Sequence, residues 1–556
     1  MRCRLWSPRR RSRRGRRRVP LRSGERRGCA VGAARRGRSR RLQLSSVGFP
    51  LWRAGPAPSR ESAGLRHSIR RAAPARCGSL TVVSRGPVAL SGRAAAVLLP
   101  GFVGTKLPEW LGERLSEGLA GVCLFGENIV DAEQLRRLTD AIRAANPHAV
   151  IAVDEEGGDV TRLHHATGSP DPGNAILGRI DDVELTASVA ASVARELRAA
   201  GITLNFAPDV DVNANPDNPV IGVRSFGADA RRVAAHAAAW VAAHEAEGVA
   251  TSAKHFPGHG DTAQDSHLAL PSVDVDAEEL DRRELPPFAA AIAAGARTVM
   301  SSHIRVPALD ELPATFSAPI LQGLLRDRMG FTGAIVSDAL DMAGASGTLG
   351  IPAAAVAALR GGCDLLCIGT RTTDEQLLVI AGAIEAAVLR GELAAERLAD
   401  AGARVRALAA SAASPAVPMA PHEVDLDRVR GAFEIAPGLV VPTGATVVAI
   451  ETTPNIAVGP TPWGLAAAGA EVVEVRERDT LPAEGPWIIV GRANHRHRWV
   501  RELADEARRR HPGTLVIDMG WPSPDRAYAD IATFGAARIV GEALRDLLGL
   551  PPRSTL

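Results

Sequence analysis

Aromatic residues are scarce in this 556-residue chain: they make up 4% of it, and a single tyrosine is present. So low a content argues against a protein that binds nucleic acid by stacking bases on aromatic rings. No apolar run approaches the eighteen or so residues that a membrane span requires, so we expect no membrane partner. The six cysteines form no CxxC pair, and buried thiols in a reducing, cytoplasmic compartment are the simplest interpretation.

The first 93 residues contain no lysine and no aspartate, and their only acidic residues are Glu25 and Glu61. They hold 26 arginines, which leaves 40 basic and 60 acidic residues in the rest of the chain. So charged a segment with so few apolar residues predicts a disordered extension over residues 1–93, without the apolar core of a secretion signal. Its arginines would suit a nucleic-acid arm. Its unusual composition instead favours a non-functional extension translated from upstream of the true start, so we expect no nucleic-acid partner.

Eight short apolar runs alternate with longer amphipathic stretches over residues 94–410. The predicted strands are 94–101, 121–126, 149–158, 202–211, 248–258, 298–304, 334–340 and 363–369. Helices such as 132–146 and 229–248 lie between them. Continuous hydrophobic strands separated by helices indicate a parallel sheet covered on both faces. Eight such units predict an α/β fold of the (β/α)8 TIM-type barrel class.

A second, smaller domain is predicted after the barrel. Residues 411–423 are rich in proline, alanine and serine, which indicates an interdomain linker. Further strands are predicted at 446–453, 470–476, 487–494 and 514–520, with helices such as 498–511 between them. Residues 424–556 are therefore predicted to form an α/β sandwich domain. No glycine-rich phosphate loop opens a helix there, so we expect no nucleotide cofactor.

Polar side chains stand at the C-terminal ends of five predicted barrel strands. They are Asp154, Asp209, Asp211, Lys254, His255, His303 and Asp338. The loops at this end of a barrel converge on its axis and carry the active site. Any one of these residues could be a helix cap or a buried ion-pair partner. Five strands that all end this way are hard to explain by stability alone, so the pattern predicts an active site.

The stretch KHFPGHGDTAQDSH, residues 254–267, crowds titratable side chains onto irregular backbone. One interpretation is a metal site formed by His255 and His259. It would need a third ligand and a regular element to fix its geometry. A second interpretation is a structural loop whose histidines cap carbonyl groups.

A catalytic loop is the interpretation that we favour for the same stretch. Asp265 lies two residues before His267, so its carboxylate can orient the imidazole and stabilise the protonated form. Gly258 and Gly260 would let the loop swing over a bound substrate. Histidine side chains titrate near neutral pH, which suits both the donation and the removal of a proton.

The longer motif KHFPGHGDTAQDSHLALP closely resembles the signature of glycoside hydrolase family 3 β-N-acetylglucosaminidases, enzymes of bacterial peptidoglycan recycling. The resemblance continues in DEEGGDVTRL, residues 154–163, in NFAPDVDVNANPDNPVIGVRSFG, residues 205–227, and in IVSDALDM, residues 335–342. It covers residues 94 to 412 approximately. It implies retaining hydrolysis of terminal β-linked N-acetylglucosamine, with small carbohydrates such as muropeptide fragments as substrates. No metal or other cofactor is implied, and we expect a monomer.

The resemblance also implies a role for each motif residue. Asp338 matches the nucleophile that forms a covalent glycosyl-enzyme, His267 the general acid/base, and Asp265 the partner of that histidine. Residues that match those holding the hydroxyl and N-acetyl groups of the sugar are Asp154, Arg162, Arg224, Lys254 and His255. We expect the positive charges of Lys254 and Arg224 to keep the Asp338 carboxyl ionised.

Some features leave alternatives open. Asp159 stands where relatives often have arginine, so contacts beyond the first sugar are not defined. A neutral imidazole would repel phosphate less than a glutamate would, so phosphorolysis of the same glycosides is a second possible activity. A β-glucosidase is a poorer match, because those relatives place their acid/base elsewhere. A non-catalytic sugar-binding barrel is disfavoured because Asp338, Asp265 and His267 are all present.

Overall fold

The structure, a computed structural model, describes residues 92–268, 270–410, 424–453 and 456–551. The extension predicted for residues 1–93, apart from its last two residues, and the linker predicted for 411–423 lie outside the described residues. The first predicted strand begins later than expected. A helical turn, Gly92–Ala95, occupies residues that were predicted to open it.

Eight strands of the first domain correspond one to one with the eight predicted apolar runs. They are β1 (Leu98–Pro100), β2 (Gly121–Leu124), β3 (Val150–Val153), β4 (Leu204–Asn205), β5 (Ala250–Phe256), β6 (Thr298–Ser301), β7 (Ala334–Ser337) and β8 (Leu365–Gly369). All neighbouring strands pair in parallel, in the order β1-β8-β7-β6-β5-β4-β3-β2. The amide of Ala120 donates to the carbonyl of Ala95 at 2.9 Å, between the starts of the two end strands. The sheet is a nearly closed barrel, which confirms the predicted fold class.

Helices surround this barrel. The α-helices are Glu109–Ser116, Ala132–Ala145, Asn174–Ile180, Val183–Ala199, Ala230–Ala246, Ala277–Glu279, Leu285–Ala293, Ala343–Ser346, Ile351–Gly361, Asp374–Leu389 and Ala395–Ala410. The π-helices are Leu280–Glu284 and Pro319–Arg328, the 3-10 turns are Gly126–Asn128, Gly222–Arg224 and Ala314–Phe316, and a hairpin pairs Arg305–Val306 with Asp310–Pro313. Two predicted helices begin at aspartate caps, where Asp131 and Asp229 accept hydrogen bonds from backbone amides of the first turn.

Side chains on both faces of the barrel strands are buried. Alternate residues point either to the interior of the barrel, as Leu99, Val150 and Val336 do, or to the helix layer, as Leu98, Ile151 and Ile335 do. Coverage on both faces explains why the strands appear in the sequence as continuous apolar runs. The three described cysteines are free, buried thiols, Cys123, Cys363 and Cys367.

The second domain is built on a six-stranded sheet. Its strands are β9 (Glu434–Ile435), β10 (Thr446–Glu451), β11 (Val473–Arg476), β12 (Trp487–Gly491), β13 (Leu515–Asp518) and β14 (Ile531–Ala532), in the order β9-β14-β13-β12-β10-β11. Only β9 runs antiparallel to its neighbour. The two-residue strands β9 and β14 were not predicted, because runs so short carry no periodic signal.

Helices lie on both faces of this second sheet. They are Leu426–Gly431, Gly464–Ala467, Arg498–Arg510 and Arg538–Leu547, and a 3-10 turn covers Asn494–Arg496. Val540 and Leu544 pack on one face of the sheet, and Val500 and Ala507 pack on the other. The domain is therefore an α/β sandwich, as predicted. Within the parts of the chain that the structure describes, no helix has the length and apolar character to cross a membrane.

Candidate active site

A cavity of about 500 Å³ opens at the C-terminal ends of the barrel strands. Seven of the eight predicted site residues line it, namely Asp154, Arg162, Arg224, Lys254, His255, His267 and Asp338. The eighth, Asp265, is hydrogen-bonded to His267 and lines an adjoining cavity. The strand ends thus bring together residues that are up to 184 positions apart in the sequence.

Asp338 follows the last residue of β7 and is held by the next peptide. Its Oδ1 accepts a hydrogen bond from the amide of Ala339 at 2.8 Å. Burial raises the pKa of Asp338, but the imidazoles of His303, His255 and His267 more than offset this, so the pKa lies below its ordinary value. The carboxyl is therefore ionised at neutral pH, as a nucleophile requires. Ionisation was expected, but from Lys254 and Arg224. In the structure burial is the largest influence, and the groups that lower the pKa most are the three imidazoles, His303 first.

His303 supports the loop that carries Asp338. Its Nε2 donates to the carbonyl of Ala339 at 3.0 Å, and its Nδ1 lies 2.9 Å from the hydroxyl of Thr315. Burial lowers the pKa of His303. The ring is fixed at both nitrogens, so it positions Ala339, the residue whose amide holds Asp338. Its place at a strand end was noted in the sequence, but this role was not.

His267 and Asp265 form a hydrogen-bonded pair on the loop after β5. The Nδ1 of His267 lies 2.7 Å from Asp265 Oδ1, and its Nε2 has no hydrogen-bond partner among the described residues. Burial raises the pKa of Asp265, but the hydrogen bonds from His267 lower it by a larger amount, so the net shift is downward. The loop also touches the one that follows Asp338, since the amide of Gly344 donates to the carbonyl of Ser266 at 3.2 Å.

His259 is a structural residue of this loop. Its Nδ1 and Nε2 lie 2.8 and 3.1 Å from the hydroxyls of Thr262 and Ser266. Burial lowers the pKa of His259 to about 4, so the ring is neutral at physiological pH. Both ring nitrogens are occupied, which leaves none for the metal site considered with His255. His259 therefore has a structural place in the loop, but its nitrogens contact hydroxyls and not the carbonyl groups that the structural interpretation expected.

Gly260 is required for close packing. A Cβ at this position would lie 1.8 Å from the carbonyl oxygen of Val212, so no other residue fits there. Gly258 has a φ of +131°, a conformation that side chains rarely adopt. The sequence suggested that both glycines act as hinges. The structure gives Gly260 a packing role instead.

Asp209, Asp211 and His255 lie close enough together to hold a metal ion. Their hydrogen bonding speaks against it. His255 Nδ1 lies 2.8 Å from Asp211 Oδ2, and Arg224 lies 3.7 Å from Asp209 Oδ2. Burial and the charge of Asp211 raise the pKa of Asp209 well above its ordinary value. The positive charge of Arg224 beside Asp209 would repel a metal cation.

A buried network of charges forms the floor of the cavity. Glu156 lies at its centre, with Oε1 at 2.7 Å from both Lys254 Nζ and Arg224 Nη2. Lys254 also contacts Asp154 Oδ1 at 2.7 Å. Burial raises the pKa of Glu156, but the two cations lower it by a larger amount. The net shift is downward, so Glu156 is ionised.

Sequence reasoning missed Glu156. It stands in the motif DEEGG between residues that were considered, and two adjacent glutamates do not reveal which one faces the cations. The carboxylate of its neighbour Glu155 accepts hydrogen bonds from the amides of Arg162 and Leu163 at 2.8 and 2.9 Å. Glu155 therefore organises the loop, whereas Glu156 holds the cationic side chains in place.

The second domain walls part of the cavity. Arg162 donates to the carbonyls of Ala457 at 2.8 Å and Val458 at 3.4 Å, and residues 456–461 line the cavity opposite the barrel. Asp159 Oδ1 accepts from the amide of Ala536 at 2.7 Å. Asp159, whose role the sequence left undefined, therefore joins the barrel to the second domain. The guanidinium of Arg162, matched by resemblance to sugar binding, here holds the loop of that domain.

The arrangement suits chemistry at an acetal carbon. An ionised carboxylate and an imidazole with a carboxylate partner line one cavity, and retaining glycoside hydrolysis requires a nucleophile together with a proton donor. Ion-paired side chains on the floor offer hydrogen bonds in fixed directions to the hydroxyl groups of a sugar.

Comparisons with known proteins agree with this chemistry. A family described as glycosyl hydrolase family 3 N terminal domain matches residues 105–408. β-Hexosaminidase A of Pseudoalteromonas piscicida is 40% identical over 285 residues, which are 47% of this chain and 48% of that protein. A β-hexosaminidase of Xylella fastidiosa is 39% identical over 298 residues, 51% of this chain and 87% of that protein.

A solved structure extends the comparison to both domains. The family 3 β-N-acetylglucosaminidase from Paenibacillus sp. aligns with a TM-score of 0.72 and 28% identity over 84% of this chain and 98% of that one. Fold and site thus define a barrel glycoside hydrolase. The chain belongs to glycosyl hydrolase family 3, and its resemblance to the β-N-acetylglucosaminidases of that family is confirmed. It spans 48% of the length of the Pseudoalteromonas relative.

Proposed function

We propose that the protein is a retaining β-N-acetylhexosaminidase that removes terminal, non-reducing β-linked N-acetylglucosamine. The observation that carries this proposal is the presence of ionised Asp338 and the His267–Asp265 pair at one cavity. Two relatives named as β-hexosaminidases support the class of reaction, and the Paenibacillus structure, named as a β-N-acetylglucosaminidase, supports the choice of sugar.

In the first step, a carboxylate oxygen of Asp338 attacks the anomeric carbon. Oδ1 is held by the amide of Ala339, which leaves Oδ2 for the attack. As the new C–O bond forms, the bond to the aglycone breaks, and His267 gives the proton on Nε2 to the departing oxygen. The product is a glycosyl ester of Asp338 with inverted configuration.

In the second step, water attacks the same carbon from the face that the aglycone left. His267 Nε2, now neutral, takes a proton from that water, and the ester bond to Asp338 breaks with its electrons returning to the carboxylate. Two inversions restore the original configuration. Asp265 accepts the Nδ1–H bond in both steps, so it keeps one nitrogen of the ring available for proton transfer.

The floor of the cavity would bind the sugar. Lys254 and Arg224 are fixed by Glu156 before substrate arrives, so little side-chain entropy is lost when they donate to hydroxyl and N-acetyl oxygens. Asp154 and His255 complete this set. We further propose that the substrates are small cell-wall fragments and that the enzyme acts as a monomer in peptidoglycan recycling.

The test begins with the product and the intermediate. The full-length protein is assayed on 4-nitrophenyl β-N-acetylglucosaminide, and proton NMR follows the anomer that is released first. We expect the β-anomer, and a fluorinated glycoside should label the peptide that contains Asp338. Release of the α-anomer, or a label on another residue, would refute the retaining mechanism through Asp338.

Phosphorolysis and hydrolysis differ in the molecule that accepts the sugar, which is phosphate in the first and water in the second. The same reaction is run in phosphate-free buffer and with added inorganic phosphate, and the sugar products are separated by mass. Hydrolysis predicts free N-acetylglucosamine at an unchanged rate in both buffers. Sugar 1-phosphate as the main product would show that phosphate replaces water as the acceptor.

A further inference from the structure

The loop that carries His267 is buried in its first half and partly exposed in its second. Residues 258–262 are mostly buried, and the amide of His259 donates to Asp211 Oδ1 at 2.7 Å. Residues 263 and 264 are exposed. The first half of the loop is thus packed into the barrel, while part of the second half lies at the surface.

Arg283 reaches back to this loop from the π-helix that follows it. Its Nη2 donates to Asp261 Oδ2 at 2.8 Å, and its Nε donates to Glu284 Oε1 at 2.6 Å. Its Nη1 lies 3.3 Å from Glu279 Oε1. Three carboxylates therefore fix one guanidinium, on a side chain that is only 18% exposed. Charge-assisted hydrogen bonds that are shielded in this way are stronger than exposed ion pairs.

Glu284 packs against the start of the same loop. Its side chain is buried, and a Cβ at Gly258 would lie 2.6 Å from Glu284 Oε2, so a side chain there would displace this carboxyl. Glu284 also orients Arg283. The packing contact at Gly258 and the ion pair at Asp261 therefore attach the loop to one helix at two points, three residues apart.

A series of hydrogen bonds connects Asp261 with the residue before His267. The residue after Asp261 is Thr262, whose hydroxyl lies 2.8 Å from His259 Nδ1. His259 Nε2 lies 3.1 Å from the hydroxyl of Ser266. Because Ser266 immediately precedes His267, a displacement of Asp261 can be transmitted to the imidazole through these contacts.

We propose that Arg283 is a positioning residue for the general acid: by holding Asp261, it keeps the loop in the conformation in which His267 lines the cavity. The inference rests on the proposed function, because it requires that His267 donates the proton. Arg283 is not among the residues that line the cavity, so it would act on turnover through the loop. A displacement of about 1 Å in a catalytic group can cost about 100-fold in rate.

The first test compares two substrates that differ in their need for an acid. In N,N′-diacetylchitobiose the leaving group is a second N-acetylglucosamine, which receives a proton in the proposed mechanism. The nitrophenolate of 4-nitrophenyl β-N-acetylglucosaminide departs without one. We expect Arg283→Gln to lower kcat/KM roughly tenfold for diacetylchitobiose and less than about twofold for the nitrophenyl glycoside. Equal losses on both would overturn the inference, because general damage to the barrel affects both substrates alike.

Asp261→Asn tests the other end of the ion pair without a change to the buried helix. It should show the same selective loss, and Arg283→Lys, which keeps the charge, should restore part of the activity on diacetylchitobiose. The matched control is Arg282→Gln. Arg282 is the adjacent residue, pairs with Glu279 and has 72% of its side chain exposed. It should leave both substrates unchanged, and a loss as large as that of Arg283→Gln would overturn the inference.

A double variant tests whether Arg283 acts through the imidazole. When Arg283→Gln is added to His267→Ala, kcat/KM on diacetylchitobiose should fall no further than in His267→Ala alone, since the group that Arg283 positions is already absent. A further loss of roughly tenfold would show that Arg283 acts elsewhere, and it would overturn the inference.

Hydrogen exchange keeps the inference independent of turnover. Mass spectrometry follows amide exchange in the peptide that covers residues 258–268 of the full-length protein. We expect faster exchange in Arg283→Gln and in Asp261→Asn, and wild-type exchange in Arg282→Gln. Unchanged exchange in all three would overturn the inference even if hydrolysis is confirmed. If exchange responds as expected but the wild type cleaves neither glycoside, the proposed function fails while the attachment of the loop by Arg283 stands.

Discussion

One carboxylate oxygen of Asp265 accepts two hydrogen bonds from the same residue, His267. The backbone amide of His267 lies 2.9 Å from Asp265 Oδ1 and the ring Nδ1 lies 2.7 Å from it. The two contacts fix both the backbone and the tautomer of the histidine. Nε2 is left as the nitrogen that can exchange a proton.

Replacement of Asp265 by asparagine should keep the side-chain shape and remove the charge. The pKa of Asp265 is below its ordinary value because the hydrogen bonds from His267 exceed the effect of burial, so the carboxylate is ionised wherever the enzyme works. Without the charge, the Nδ1–H group of the ring is held by a weaker, neutral hydrogen bond. We expect kcat/KM to fall about 10- to 100-fold. The exposed Asp274→Asn is the control, and an unchanged kcat/KM in Asp265→Asn would contradict the pairing.

His267→Ala should act selectively on poor leaving groups. A nitrophenolate departs without protonation, whereas in the proposed mechanism a sugar alkoxide receives a proton from His267. The step that is affected is glycosyl transfer to Asp338. We expect its rate to fall by about 10² to 10⁴ on diacetylchitobiose and by far less on the nitrophenyl glycoside. Pre-steady-state release of nitrophenolate measures this step. Equal losses on both substrates would contradict the role as acid.

Glu156→Gln should destabilise the protein because it leaves Lys254 and Arg224 buried with less compensating charge. Breaking a buried ion pair in this way costs about 3 to 5 kcal/mol. The control is Glu133→Gln, which removes an exposed pair with Arg137 on a helix surface and should cost about 0.5 kcal/mol or less. Chemical denaturation measures both variants. Similar, small losses for the two would show that Glu156 does not hold the cations.

Asp171 should make stability depend on pH. Burial, and then the nearby Glu196 and Glu155, raise the pKa of Asp171 to about 7. The folded state therefore keeps a proton that the unfolded state loses near pH 4, and stability falls as pH rises from about 4 to 7. Asp171→Asn should remove this loss, with a gain of about 2 kcal/mol or more at pH 8 and little change at pH 4.

The Asp171 experiment compares melting temperatures of the variant and the wild type at several pH values. Asp327→Asn, on an exposed helix surface, is the control and should leave the pH dependence unchanged. A constant difference between Asp171→Asn and the wild type at all pH values would show that the carboxyl is not protonated in the folded state.

The sequence predicted the position of the site better than its internal contacts. Lys254, His255 and Asp338 were placed correctly at strand ends, because the C-terminal ends of parallel strands must meet at one edge of a barrel. The neighbours of Asp338 were not predicted. Lys254 and Arg224 were expected to keep it ionised, but Glu156 draws both cations to itself, and such pairing depends on side-chain directions that a linear pattern does not contain.

By itself, the sequence determined the eight strand–helix units, the motifs at the strand ends and the second α/β domain, because apolar periodicity and local turn residues act over short distances along the chain. Only the tertiary structure decided how the domains build the cleft. Arg162 donates to the carbonyl of Ala457, 295 residues away. Arg492 and Arg496, which follow β12, line the same cavity as Asp265 of the barrel. These contacts arise from the packing of two separately formed cores, and no local pattern in the chain records where two such surfaces will touch.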